Sequence, residues 1–231
     1  MRFLRRAAAV ALLATGLRLF LAVWGSPSLK LETVEVMGNR RVPAAQVVDQ
    51  SGLKRGDHLL TLYTQSVAGR VEAIPWVARA EVERILPSKL RVTVAEREPA
   101  ATVIVGSRSF LADENGLLLA EASEPGLVTI ADLALPDPTA GVRIAVPQYA
   151  QVLAVLRSLP EELRARIKVV RAATLDQITL ETEGGMSVVF GSAEDLDKKG
   201  RVLSLLLDHL GQTPVASIDV RAPERPAVRP R

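Results

Sequence analysis

Residues that could carry acid–base or metal chemistry are few in this sequence and lie far apart. The chain of 231 residues contains two histidines, His58 and His209, and no cysteine. His58 follows a Gly-Asp turn and His209 falls late in a leucine-rich stretch, so neither has a base or a second ligand at catalytic spacing. The lack of cysteine excludes thiolate zinc sites, cysteine nucleophiles and structural disulfides.

Acidic residues occur in close pairs, which is the one pattern that could suggest acid–base catalysis. The pairs are Asp113 with Glu114, Glu161 with Glu162, and Asp195 with Asp197. Acidic pairs in turns and in first helical turns are usually solvated or favour the helix dipole. We therefore predict that the protein is not an enzyme and needs no cofactor or metal, although an enzyme of unrecognised type stays open as an alternative.

Glycine and charge patterns exclude two further classes of function. Gly184-Gly185 has neither the following helix start nor the Lys-Ser/Thr pair of a phosphate loop, so we interpret it as a hairpin turn. The formal net charge is only +3, basic and acidic residues are interleaved, and aromatic residues make up 3% of the chain. The sequence therefore offers few stacking platforms for nucleic acid and its charge does not mark a nucleic-acid surface. We predict neither a nucleic-acid partner nor a small-molecule substrate.

The N-terminus has the pattern of a targeting or anchoring segment. Arg2, Arg5 and Arg6 precede an apolar stretch at residues 7–24 that ends with Trp24. Eighteen helical residues rise about 27 Å, close to the roughly 30 Å of a hydrocarbon core, although Arg18 opposes insertion by about 2.5 to 3.5 kcal/mol. We predict a cytoplasmic tail at 1–6, a single transmembrane helix at 7–24 and export of everything after Pro27.

A cleaved signal peptide is the competing interpretation of the same residues. Residues 7–17 have a suitable length for its apolar region, but no clean A-x-A cleavage site follows. Both interpretations place the chain after Pro27 outside the cytoplasm, because the basic residues stay inside. Whether the leader is cleaved is left open.

Periodicity over residues 29–98 predicts a small β-α-α-β-β domain. A strand-like run at 31–36 ends at Gly38-Asn39, a helix at 43–51 ends at Gly52, and a second amphipathic helix ends at Pro75. Alternating apolar residues at 78–82 and 90–94 then predict a hairpin with one buried face. The order of these elements predicts a three-stranded sheet with two helices on one face.

Residues 99–222 predict a second α+β domain with a mainly antiparallel sheet. Strand-like runs occur at 101–105, 110–112, 117–120, 127–130, 169–170, 178–182, 186–190 and 215–220. Apolar stripes at 146–159 and 196–210 predict helices. The strand at 215–220 is predicted as the last strand. Residues 223–231, rich in proline and arginine, are predicted as an extended tail that packs no core.

Several segments together resemble the FtsQ/DivIB family of bacterial division proteins. Residues 31–40 (LETVEVMGNR), 74–84 (IPWVARAEVER) and 90–99 (LRVTVAEREP) look like a POTRA domain of the FtsQ type. Residues 111–117 (LADENGL), the predicted helix at 194–210 and residues 218–221 (IDVR) are similar to the β domain that follows POTRA in that family. The resemblance covers nearly the whole chain.

This resemblance implies a non-enzymatic, bitopic scaffold of the division complex in the inner membrane, concentrated at the septum. Its implied partners are FtsB and FtsL, with the last strand of the β domain pairing to a segment of FtsB. A terminal sheet edge with unpaired main-chain groups can accept a partner strand in this way. The predicted partner-binding residues are Ile218, Asp219, Arg221, Ala222, Glu224, Arg225, Ala227 and Val228. Arg221 falls on a family motif position, whereas Ala222 stands where an aromatic residue is common.

A second hypothesis from another class keeps the same domain but changes its role. A secreted or outer-membrane assembly factor would use a POTRA domain to bind client polypeptides. The single unit after a predicted anchor favours the division family, because assembly factors repeat the unit before a β-barrel.

Overall fold

The computed structural model describes residues 14–16, 18, 29–136, 138–211 and 213–231. Of the predicted transmembrane segment at 7–24, only residues 14–16 and Arg18 are described, and they are helical. The rest of that segment and the predicted tail at 1–6 lie outside the described residues. In the described part of the chain, no helix is both long enough and apolar enough to cross a bilayer.

The chain divides into two compact units, Met1–Glu96 and Arg97–Arg231. In the described part of the first unit, the elements are strand β1 (Thr33–Met37), helices α1 (Ala44–Ser51) and α2 (Thr64–Glu72), and strands β2 (Val77–Ile85) and β3 (Lys89–Glu96). Strand β3 is central, parallel to β1 and antiparallel to β2. The predicted β-α-α-β-β order is confirmed.

Two glycines explain where elements of this unit end. Gly38 follows β1 with φ +81°, and a Cβ there would lie 2.2 Å from the carbonyl oxygen of Val94. The turn therefore needs glycine both for its left-handed backbone and for the close approach to β3. Gly52 ends α1 with φ 67°, and its N–H donates to the carbonyl of Asp49. Such a left-handed residue is the common way to terminate a helix.

The core of the first unit lies between the sheet and its two helices. Val92 and Val94 of β3 and Ala80 of β2 are buried against Val47 of α1 and Val71 of α2. The two strands contribute alternate residues, so their other faces carry the charged residues. Burying such valines stabilises the unit by about 1.5 to 3 kcal/mol each relative to exposure.

The described residues of the second unit form one sheet with helices packed on it. Its elements are β4 (Ala101–Val105), β5 (Arg108–Ala112), β6 (Leu118–Ala120), β7 (Thr129–Ala131), α3 (Pro147–Ser158), α4 (Glu161–Arg164), β8 (Ile167–Ala172), β9 (Ile178–Thr182), β10 (Ser187–Gly191), α5 (Leu196–Leu210), β11 (Val215–Asp219) and β12 (Ala227–Pro230). The strand order is β12-β11-β10-β9-β8-β7-β4-β5-β6. Pairs β4–β7, β7–β8 and β10–β11 are parallel and the others are antiparallel, as predicted for a mainly antiparallel sheet.

Helices α3 and α5 cover the core of this sheet and touch each other closely. Ile130, Leu180 and Val188 of the sheet are fully buried in the same cluster as Val152 of α3 and Leu203 of α5. Where the two helices meet, a Cβ on Gly200 would lie 2.4 Å from the carbonyl oxygen of Ser158. The glycine therefore sets how near α5 can approach the end of α3.

The C-terminal segment differs from its prediction. Residues 215–220 were expected to be the last strand and 223–231 an unpaired tail, but β12 pairs with β11 and becomes the outer strand. Pro223 is also buried. Prolines permit the pairing because Pro226 precedes β12 and Pro230 is its last residue, so neither removes a ladder hydrogen bond from the strand interior.

Candidate partner-binding edge

Strand β12 is the outer strand at one end of the large sheet. It runs antiparallel to β11, with Asp219 opposite Ala227, Ile218 opposite Val228 and Ser217 opposite Arg229. Strand β11 is thus held on both sides, by β10 and by β12. The edge that the sequence assigned to 215–220 lies one strand further out.

The opposite end of the same sheet is covered. The N–H of Leu118 in β6 donates to the carbonyl of Val142 at 2.9 Å, and the N–H of Gly141 donates to the carbonyl of Leu118 at 2.7 Å. The N–H of Ile144 also donates to the carbonyl of Gly116 at 2.8 Å. The segment at 141–144 therefore occupies the outer hydrogen-bonding groups of Leu118 in β6. No segment of the described chain pairs with the outer side of β12.

The alternating direction of main-chain groups along β12 indicates which N–H and C=O groups point away from β11. The N–H of Arg231 donates to the carbonyl of Pro214, on the β11 side, at 3.3 Å. Because main-chain groups of an extended strand alternate in direction, those of Val228 and Pro230 point away from β11. Pro230 has no N–H, so the free edge presents the N–H of Val228 and the carbonyls of Val228 and Pro230. A short added strand could pair there.

A compact turn at 220–226 carries the chain from β11 to β12. Val220 is fully buried, and its N–H donates to the carbonyl of Val189 in β10 at 3.0 Å. The N–H of Arg225 closes the turn on the carbonyl of Ala222 at 2.9 Å. Buried Pro223 between them fixes the turn to the body of the unit.

Arg221 is held on the surface of this turn by its own neighbour. Its Nε and Nη2 donate to the carboxylate of Asp219 at 3.1 and 2.7 Å. The hydrogen bonds from Arg221 keep the pKa of Asp219 below its ordinary value, although partial burial opposes this. The arginine side chain also lies against Gly191, where a Cβ would stand 2.8 Å from its Cγ. Gly191 therefore leaves the room that the Arg221 stem occupies.

Two lysines at the start of α5 support the same region. Lys198 forms an ion pair with Glu224 of the turn, which lowers the pKa of that carboxyl group. Lys199 is 3% exposed, and its Nζ donates to the carbonyls of Phe190 and Ser192 at 3.1 and 2.8 Å. Burial lowers the pKa of Lys199, while Asp195 and Glu194 oppose that shift. These two hydrogen bonds from Lys199 hold the end of β10 next to the turn.

The free edge is cationic. Arg225, Arg229 and Arg231 are exposed, and in the part of the chain that the structure describes no ion pair engages their side chains. Asp219 and Glu224 are by contrast already paired. An added strand would meet unneutralised guanidinium groups, which favours a partner segment with carboxylates.

The predicted binding residues divide by position. Ile218 is 0% exposed and faces the core, so its side chain contacts no partner. Asp219, Arg221, Ala222, Glu224 and Arg225 belong to or flank the turn, and Ala227 and Val228 belong to β12. The sequence reasoning missed Arg229, Pro230 and Arg231 at the edge, and Gly191, Lys198 and Lys199 below the turn. The apolar Val228 between alternating residues was the only local signal of β12.

The described contacts give Asp113 a structural role and place Glu114 in a surface ion pair. Asp113 is a buried structural carboxylate that accepts the N–H groups of Asn115 and Leu117 at 2.9 and 2.8 Å and pairs with Arg97 at 3.1 Å. Exposed Glu114 pairs with Arg157 at 3.4 Å. Within the described residues, no group of three His, Cys, Asp or Glu residues is arranged to hold a metal ion.

The fold is α+β, with two units and an exposed sheet edge at β12, and comparison with known proteins specifies the family. Residues 29–97 match the POTRA domain of the FtsQ type, and residues 101–221 match the C-terminal region of cell division protein FtsQ/DivIB. The chain belongs to the FtsQ/DivIB family of bacterial cell division proteins. The second match ends at Arg221, so β12 lies beyond it.

Similar proteins include several actinobacterial relatives, each described as cell division protein FtsQ. The Mycobacterium leprae relative is 31% identical over 214 residues, which cover 93% of this chain and 60% of the relative. The Mycobacterium tuberculosis H37Rv relative is 30% identical over 222 residues, covering 96% and 68%. The Streptomyces bingchenggensis relative is 30% identical over 223 residues, covering 95% and 83%. The chain thus spans about three fifths of the length of the M. leprae relative.

Proposed function

We propose that the chain is a non-enzymatic, bitopic scaffold of the bacterial division complex. Its second unit binds an FtsB/FtsL-type partner by adding a partner strand to β12. Family membership supports the role in division. The observation that carries the binding mode is the contrast between the two ends of the large sheet: residues 141–144 pair with Leu118 of β6, whereas in the part of the chain that the structure describes no segment pairs with the outer side of β12.

Main-chain pairing at β12 supplies most of the affinity in this proposal, and charge supplies the selection of the partner. β-Augmentation depends on N–H and C=O groups rather than on side chains, so it fits an edge with few apolar residues. Arg225, Arg229 and Arg231 favour an extended partner segment with carboxylates, and such steering weakens as salt is added.

A pair of proline substitutions tests the direction of the exposed groups. Val228→Pro removes the outward N–H, so we expect strong loss of binding to the extracytoplasmic part of the partner with an unchanged melting temperature. Arg229→Pro, the matched control, removes an inward N–H and breaks the ladder to β11, so it should lower the melting temperature. Isothermal titration calorimetry and circular dichroism of the full chain measure both. Native affinity in Val228→Pro would place the site on another edge, such as β1 or β2.

Replacing Arg229 by alanine separates charge from pairing. The main chain of β12 stays intact, so binding should persist and become less salt-dependent. If Arg229→Ala abolished binding at all salt concentrations, side-chain recognition rather than strand addition would dominate.

The anchor in this proposal rests on the apolar residues 7–24. Fractionation should recover an uncleaved chain in the inner membrane, with residues after Pro27 open to protease in spheroplasts. A mature form beginning near Gly25 would remove the anchor and favour the secreted assembly factor. Replacing Arg2, Arg5 and Arg6 together should scramble the orientation, whereas Arg18→Leu should strengthen insertion.

A further inference from the structure

The first unit carries three exposed large apolar side chains at the end where the described chain enters it. Leu60, Tyr63 and Leu86 are 42%, 82% and 58% exposed. We call these three residues the entry patch. Isolated exposed apolar residues are ordinary, but a cluster of them marks an interaction surface.

Hydrogen bonds bring the segments that carry the entry patch together beside Leu29. The N–H of Leu59 donates to the carbonyl of Leu29 at 2.9 Å. Arg84 donates from Nε to the carbonyl of Leu59 at 2.8 Å and from Nη2 to the carbonyl of Leu62. The β2–β3 turn that contains Leu86 is tied to the same place, because the N–H of Glu32 donates to the carbonyl of Ser88 at 2.8 Å.

Basic side chains lie on the same segments as the entry patch. The exposed cations on the same segments are Lys30, Lys54, Arg55, Arg84 and Lys89. Asp57 is the one carboxylate on residues 29–31, 53–63 and 84–89, and it accepts the N–H of Lys54 at 2.8 Å. Exposed Glu32 and Glu83 directly flank these segments, so five cations stand against three carboxylates and this end of the unit carries a net positive charge.

The covalent chain limits how far the entry patch can lie from the proposed anchor. Five residue steps separate Trp24, the end of the apolar stretch, from Leu29. Even fully extended they span at most about 17 Å. Apolar side chains, a tyrosine and lysines or arginines are the residues that suit a bilayer interface with anionic headgroups.

We propose that the entry patch contacts the lipid surface, with Leu60, Tyr63 and Leu86 at the headgroup level and the surrounding cations on anionic lipid. This inference rests on the anchor in the proposed function. The contact orients the first unit on the membrane and leaves the far end of β1, with Met37, away from the bilayer. Four residue steps along β1 place Met37 about 13 Å from Thr33.

Fluorescence quenching on the full chain tests this contact. Because the chain has no cysteine, single variants Tyr63→Cys and Met37→Cys can each carry the same polarity-sensitive dye. Met37 is the matched control because it is also exposed, at 47%. The labelled chains are reconstituted in vesicles of phosphatidylcholine with phosphatidylglycerol that contain a headgroup nitroxide. We expect loss of most fluorescence at position 63 and little loss at position 37.

Two further measurements test whether anionic headgroups and the basic side chains contribute to the contact. Pure phosphatidylcholine vesicles, or the variant Lys54→Glu with Arg55→Glu and Lys89→Glu, should reduce quenching at position 63. Equal quenching at 63 and 37, or none at 63, would overturn the lipid contact. Flotation of the same vesicles separates this failure from that of the proposed function, since a chain that does not float lacks the anchor itself.

Discussion

At the residue scale, Arg221 already has an internal partner. The sequence makes it the best candidate to pair with a partner carboxylate, either buried or at the rim of the interface, and its side chain is 64% exposed and bonded to Asp219. A partner would have to compete with that internal pair. We therefore expect Arg221→Ala to weaken partner binding by less than about fivefold, as for an exposed ion pair.

The companion variant Asp219→Ala gives this prediction its control. It frees the guanidinium of Arg221 and leaves the main chain of β12 unchanged, so calorimetry should show equal or slightly tighter binding. A loss of more than about a hundredfold in Arg221→Ala with a native circular dichroism spectrum would restore Arg221 as an anchor.

The ionised carboxylate of Glu96 supports the first unit through main-chain hydrogen bonds. Its carboxylate accepts the N–H groups of Arg40, Arg41 and Val42 at 2.8 to 3.0 Å, just before α1. Burial disfavours its charge, but these three hydrogen bonds outweigh that effect and lower the pKa of Glu96. We expect Glu96→Gln to lower the melting temperature at neutral pH, because a neutral amide accepts N–H groups less strongly.

The pH dependence follows from the direction of that shift. A carboxyl group with a lowered pKa in the folded state stabilises the fold above the ordinary glutamate pKa of 4.5 and loses this effect as pH falls through its folded pKa. The difference in melting temperature between wild type and Glu96→Gln should thus be constant above pH 4.5 and vanish in stronger acid. Exposed Glu98 is the matched control, and Glu98→Gln should leave the melting temperature at neutral pH unchanged.

At the element scale, two helical glycines should respond oppositely to alanine. Gly200 of α5 faces the carbonyl of Ser158, 2.4 Å from where a Cβ would be, whereas a Cβ on Gly69 of α2 would meet nothing within 4 Å. Gly200→Ala should destabilise the second unit by about 1 to 3 kcal/mol through overpacking. Gly69→Ala should stabilise the first unit by about 0.5 to 1 kcal/mol through helix propensity. Urea unfolding measures both, and two changes of the same sign would contradict the packing argument.

The elements that sequence alone predicted are those whose signals are local. Alternation in β2 and β3, the helical spacing of Val67 and Val71, and the stop at Gly52 each depend on a few adjacent residues. These signals agreed with one another over residues 29–98. When local secondary-structure preferences agree with the overall fold in this way, the elements can be predicted from the sequence alone.

Strand β12 was not predicted because contacts with residues distant in the sequence stabilise it. Its four residues, Ala227–Pro230, have one half-buried apolar side chain and a proline, which locally indicate a coil. The ladder to β11, buried Pro223 and the ion pair of Glu224 with Lys198 order the segment instead. The cover on β6 was missed for the same reason, since the segment at 141–144 carries no strand pattern of its own.

At the scale of the whole molecule, the two ends of the large sheet suggest how an open edge is tolerated. Edge strands with free main-chain groups promote aggregation unless they are short, charged or interrupted by proline. Strand β12 is short, carries Arg229 and ends in Pro230, while the longer β11 behind it lies between β10 and β12. β12 therefore serves two purposes in our proposal, since it offers a limited site to a partner and shields β11.

This double role leads to a prediction for a chain that ends at Val220. Partner binding should be lost, because the Val228 edge and the three arginines are removed. The truncated chain should also self-associate, because the loss of β12 exposes the hydrogen-bonding groups of β11, a longer strand without proline. Analytical ultracentrifugation of the full-length and truncated chains in detergent measures association, with circular dichroism to verify folding.

The matched control is Val228→Pro, which should lose binding and stay monomeric because β12 still covers β11. A folded, monomeric truncated chain with full partner affinity would show that β12 neither binds the partner nor protects the sheet, and would move the site to the first unit.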